Sequence, residues 1–82
     1  MNTVVLYERE GCCLCDDART VLERVRSRHP FTLVRCDIDQ HDDLHRAYLE
    51  RIPVVTLDGV EAFDLFVDEA EFERRLGRLP TG

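Results

Sequence analysis

The chain has 82 residues, 44% of them apolar and 34% charged, the balance of one compact, water-soluble domain over residues 1–82 and not of a disordered, collagenous or membrane chain. Its formal charge is −6 and every cation is an arginine; no stretch gathers them into a basic patch, so a nucleic-acid partner is not expected. The first seven residues are apolar for only a few positions, lack a basic flank and run into Glu8-Arg9-Glu10, so neither a signal peptide nor a membrane span is expected, and the four cysteines are assigned to a reducing, cytoplasmic setting.

Residues 3–7 are β-branched and aromatic and are stopped by a charged run ending in Gly11, which predicts a short buried strand. From residue 13 to about 27, Leu14, Ala18, Val21, Leu22 and Val25 recur at helical spacing, with Asp16 and Asp17 at the start and Arg24, Arg26 and Arg28 near the end. Charge and periodicity agree on a helix running away from the cysteines. His29-Pro30 ends it, and residues 31–36 read as a second strand, giving a βαβ unit with parallel strands. A short helix is expected over residues 42–50, burying Leu44, Ala47 and Tyr48, followed by a strand over 52–57 that opens on Pro53. Asp58-Gly59 is a hairpin signal that returns residues 60–63 as an antiparallel strand. Asp68 and Glu71 form an Asp-x-x-Glu capping box for a last helix with Phe72, Leu76 and Leu79 on one face, and the tail 80–82 is expected to fray. The predicted class is α/β, in the order βαβαββα, with a four-stranded mixed sheet flanked by helices.

Cys12-Cys13-Leu14-Cys15 contains one C-x-x-C pair at the junction of strand and helix inside the βαβ unit. At a helix N-terminus, free backbone N–H groups and the positive end of the dipole favour a thiolate. Cys12 is therefore assigned as the nucleophile toward a disulfide, and Cys15, one turn on, as the thiol that resolves the mixed disulfide. Arg9 is expected to support the Cys12 thiolate, against Glu8, Glu10, Asp16 and Asp17. The plain alternative, two buried small hydrophobes, suits a core better than a helix start beside a glycine loop.

Two further readings stay open. Cys12, Cys13 and Cys15 supply three thiolates for a metal or iron–sulfur carrier, without an evident fourth ligand. His41 and His45 stand i, i+4 but among Asp42, Asp43 and Arg46, which reads as a solvated helix face, so no metal residue is assigned. A non-catalytic interaction module would use a surface of Phe63, Leu65 and Phe66. Cys13 is expected to point away from Cys12, since adjacent cysteines close only a strained ring, and Cys36 reads as a core residue.

With strand, C-x-x-C, helix and the later Arg51-Ile52-Pro53-Val54 in place, the chain resembles the thioredoxin superfamily along nearly its whole length. The run Tyr7-Glu8-Arg9-Glu10-Gly11-Cys12-Cys13-Leu14-Cys15 is similar to the small glutaredoxin-like proteins of bacteria. The resemblance implies a dithiol–disulfide oxidoreductase acting on protein or low-molecular-weight disulfides. It also implies a cis bond before Pro53 and an Ile52 backbone that pairs with substrate as an added strand. Arg9 stands where glutaredoxins carry a lysine that contacts glutathione, and it too binds a carboxylate. Phe63-Asp64 falls where the family has a Gly-Gly pair, which implies weak glutathione turnover. No cofactor is expected to be bound; glutathione or another small thiol is a possible reductant. The expected partners are a disulfide substrate and a recycling reductase or thiol, and the expected state is a monomer. Cys13-Leu14 replaces the interior pairs of both glutaredoxins and thioredoxins, whose potentials bracket roughly −270 to −200 mV.

Overall fold

A computed structural model describes residues 2–78. Leu79, expected on the face of the last helix, and the tail 80–82 lie outside the described residues. Strand β1 (Thr3–Glu8) leads into helix α1 (Cys13–Arg28), strand β2 (Thr32–Asp37), a 3-10 turn (Ile38–Gln40), helix α2 (Asp42–Tyr48), strands β3 (Val54–Leu57) and β4 (Val60–Asp64), and helix α3 (Glu69–Arg78). The sheet order is β2-β1-β3-β4; β1 runs parallel to β2 and antiparallel to β3, and β3 pairs antiparallel with β4. The expected βαβαββα order and mixed sheet are thus present.

The period of two along β1 separates the layers. Val4 and Leu6 are fully buried and join Ala18, Leu22 and Val25 of α1 with Phe72 and Leu76 of α3 in one core. Tyr7 points to the opposite face, where its ring lies 4.9 Å from that of Tyr48 in α2. Central strand β3 is buried along its whole length, as a strand covered on both faces must be.

Helix α1 starts at the N-cap Cys12 and ends where the His29 N–H donates to the Val25 carbonyl at 2.8 Å, just before Pro30. Its buried stripe is Cys15, Ala18, Leu22 and Val25. Leu14, expected in that stripe, lies along its edge and is 52% exposed. Ala47, expected to be buried, is exposed, because the half-buried side of α2 is formed by Leu44, His45 and Tyr48. In the polar run after β2 the Asp37 carboxylate accepts the Asp39 N–H at 2.9 Å and folds a 3-10 turn that buries Ile38, an element with no counterpart in the expected order. Asp58 and Gly59 both have positive φ, 51° and 86°, the pair that a two-residue hairpin needs. At the start of α3 the Asp68 carboxylate accepts the Glu71 N–H at 3.1 Å, while the Glu71 side chain turns to Arg74 and Arg75; only half of the capping box forms.

Candidate active site

Gly11, at φ 80°, turns the chain out of β1 so that Cys12 caps α1 in an extended conformation. The Cys12 Sγ, partly exposed, accepts the Cys15 backbone N–H at 3.2 Å. Any negative charge on that sulfur is met by this donor and by the positive end of a sixteen-residue helix. Cys15, one turn on, is 1% exposed. Burial first, and then hydrogen bonding of its thiol to Cys12, push it up to about 12; a hydrogen bond from the Arg9 backbone opposes them. The Cys12 charge and the carboxylate of Glu8, at the end of β1, act in the same upward direction. The two thiols are therefore unlike: an accessible sulfur faced by donors, and a protonated one sealed beneath it.

Cys13 is exposed, so it is not a packed side chain. Cys36, expected in the core, is only half-buried on β2. Among the described residues no three His, Cys, Asp or Glu side chains converge as a metal site, and the structure does not bring Cys12, Cys13 and Cys15 together as one. His41 caps α2 without a side-chain bond, while His45 Nε2 lies 3.5 Å from Asp39 Oδ1.

The Arg9 guanidinium does not turn toward Cys12. Its Nε donates to Asp39 Oδ2 at 3.0 Å, which ties the loop before α1 to the 3-10 turn, and what it gives the dithiol is its backbone N–H to Cys15. Glu8, only 7% exposed, accepts the Arg35 Nε at 2.6 Å, so this buried carboxylate has a partner. Neither Asp39 nor Arg35 was signalled in the sequence, because an ion pair between distant segments leaves no local pattern.

The Ile52–Pro53 bond is cis and Pro53 is buried. Ile52 was expected to present both backbone groups to a substrate. Its N–H is instead donated to the Tyr48 carbonyl at 2.9 Å, which also accepts the Arg51 N–H at 2.8 Å, because α2 ends only a few residues before. The Ile52 N–H is therefore already engaged within the chain.

Phe63, expected at the end of the fourth strand, and Asp64, one residue beyond the expected strand, both belong to β4 and pair with Val55 and Val54. The Phe63 ring stands edge-on to Phe72 at 6.1 Å with Arg75 over it, and Asp64 pairs with Arg51 at 3.2 Å. The turn comes one residue later: the Phe66 N–H closes onto the Asp64 carbonyl at 2.7 Å around Leu65, whose φ is 68°. A three-residue turn with positive φ is rare, and a left-handed conformation at a bulky residue costs on the order of 1–3 kcal/mol. The Leu65 N–H, bonded to the Arg51 and Pro53 carbonyls at 3.0 and 2.9 Å, pins the turn beside Pro53, and Leu65 and Phe66 are left 50% and 66% exposed.

A sequence profile of the glutaredoxin-like domain family (DUF836) matches residues 3–77. A Nitrosomonas europaea protein solved by solution NMR is 29% identical with a TM-score of 0.79, the match covering 90% of this chain and 89% of that one. A structural-genomics protein from X. campestris is also 29% identical, with a TM-score of 0.76 over 94% of this chain and 99% of its own. Chloroplastic thioredoxin z, at 18% identity, has a TM-score of 0.77 over 95% of this chain and 77% of its own, which shows a shared thioredoxin fold. The comparison with proteins of curated function gave no match.

Proposed function

The chain belongs to the glutaredoxin-like domain family, and we propose that it is a thiol–disulfide oxidoreductase that reduces protein or low-molecular-weight disulfides in the cytoplasm. The observation that carries this reading is the unlike pair of thiols, Cys12 capping α1 and facing solvent, Cys15 buried and protonated behind it.

In the proposed reaction the Cys12 thiolate attacks one sulfur of a substrate disulfide, forming a mixed disulfide, and the other sulfur leaves with the electron pair as a thiolate. Cys15 then gives up its proton to a departing thiolate and attacks the Cys12 Sγ. The second substrate sulfur is released, and a Cys12–Cys15 disulfide remains. Two electrons pass from the protein to the substrate. They are returned by a small thiol such as glutathione or by the dithiol of a reductase. Cys15 is too deeply buried to meet a substrate disulfide directly, so the order of attack follows from access. The Ile52 carbonyl beside Pro53 serves as the backbone acceptor for a substrate strand.

Three variants test the assignment. Cys12→Ser is expected to abolish reduction of a small disulfide, and Cys15→Ser to stop dithiol turnover while trapping a substrate mixed disulfide on Cys12, detectable by mass spectrometry. Retained activity in Cys12→Ser together with its loss in Cys13→Ser would move the nucleophile to Cys13 and overturn the mechanism.

A further inference from the structure

We propose that the disulfide this dithiol meets belongs to a polypeptide, and that a residue flanking the attacked cysteine places an apolar side chain in the cleft between α1 and the turn after β4 while a basic neighbour meets Asp17. This inference rests on the dithiol reading above and adds the class of substrate.

The cleft is lined by Leu14, Ala18, Val21, Phe66 and Val67, with Asp17 among them, and holds about 160 Å³. Roughly 150 Å³ of apolar space accommodates a benzene-sized group, so a leucine or phenylalanine side chain fits. Single exposed apolar residues are ordinary on protein surfaces. Here, however, Leu14 and Phe66 line one cleft, both more than half exposed. Leu14 lies between Cys12 and Cys15 in the chain, so one wall of the cleft is the same first turn of α1 that carries the dithiol. Phe66 is presented by the positive-φ turn that is pinned to Pro53. A peptide whose cysteine sulfur reaches Cys12 brings its neighbouring residues to this cleft.

Charge narrows the occupant further. Asp16 is paired with Arg19 at 3.4 Å. Asp17, exposed in the cleft, has no cation paired with it among the described residues. An unpaired carboxylate beside an apolar cleft, on a chain of charge −6, complements a segment carrying both an apolar and a basic residue. A second copy of this chain brings more negative charge. Glutathione disulfide brings carboxylates and no apolar side chain.

Two peptides separate these cases, each with its cysteine disulfide-bonded to thionitrobenzoate, one flanked by Leu and Lys and the other by glycines. Attack by Cys12 on the peptide sulfur forms the peptide mixed disulfide and expels the coloured thiolate, the better leaving group. The Leu/Lys peptide is expected to react about tenfold or more faster. Phe66→Ala should bring that ratio down to about twofold or less, Phe66→Leu should keep most of it, and Asp17→Asn should remove only the part owed to Lys. Equal rates for the two peptides on the wild-type chain, or a ratio that Phe66→Ala leaves unchanged, would overturn the proposal. A concentration-dependent dimer that Phe66→Ala dissociates, seen by sedimentation, would also overturn it by showing the cleft filled by a second copy. Failure of the wild-type chain to reduce even free dithionitrobenzoate would sink the dithiol reading itself.

Discussion

Cys12 and Cys15 are three residues apart, yet they sit in opposite environments, one at the open end of α1 and the other on its buried stripe. Burial and the bond to Cys12 push Cys15 to about 12, above its ordinary value of 9.0, so it stays a thiol throughout the neutral range and its thiolate fraction climbs about tenfold per pH unit until the pH nears that value. In the reduced protein, Cys15 alkylation by iodoacetamide is therefore expected to be the slowest of the dithiol and to keep rising with pH well past 9, as followed by mass spectrometry of the Cys12 and Cys15 adducts. Cys15 labelled as fast as Cys12 at pH 7 would mean that the thiol is not sealed. The positions of this pair and of Pro53 were legible in the sequence, because a C-x-x-C after a strand and a proline before a later strand are local signals. The partner of Arg9 was not. Asp39 lies thirty residues away, and a guanidinium chooses among carboxylates only once the fold has placed them. Nor does any residue pattern mark Leu65 as the centre of a positive-φ turn, since leucine is not a residue that such turns favour.

At the scale of elements, α3 is held to the rest of the molecule by aromatic packing and by an ion network. Phe72 is fully buried, with Phe31 edge-on at 5.5 Å and Phe63 at 6.1 Å. Arg28 of α1 meets both Glu69, at 2.7 Å, and Glu73 of α3, and Arg24 reaches Glu69 at 2.8 Å. These arginines are about half exposed and screened by solvent, so packing dominates. Phe72→Ala is expected to cost about 3–5 kcal/mol, by loss of the ring and the cavity left behind. That is a large share of the roughly 4–12 kcal/mol available to a domain of this size. A urea titration that reads the midpoint at unchanged slope checks it, and a loss below ~1 kcal/mol would show that the ion network is the main tether. Phe63 thus belongs to the packing of β4 against α3. Helix α1 and the Asp58-Gly59 hairpin were legible because periodicity, charge and turn chemistry agree there. The 3-10 turn and the outward Leu14 and Ala47 were not, because one buried Ile38 makes no period and helical spacing does not say where a stripe's edge falls.

The described residues span 35 × 23 × 16 Å, and the chain carries a charge of −6. At about 0.01 M salt the Debye length is roughly 30 Å, so the entire charge acts on an approaching substrate; at about 0.15 M it is roughly 8 Å, and only groups near the dithiol are felt. The nearby groups include Asp17, which is unpaired among the described residues, Asp16, which Arg19 partly neutralises, Glu10, and Glu8 and Arg9, which are paired with Arg35 and Asp39. Both the long-range and the local fields therefore attract a cationic peptide and repel an anionic small disulfide such as glutathione disulfide, and charge steering of this kind changes encounter rates by tenfold or more in favourable cases. Raising salt across that range is expected to slow the reaction with a lysine-flanked peptide disulfide and to speed the reaction with glutathione disulfide, each by about threefold or more. Stopped-flow rates at matched pH decide it. If the two substrates shifted in the same direction, the net charge would not be selecting between them, and discrimination would rest on the apolar cleft alone.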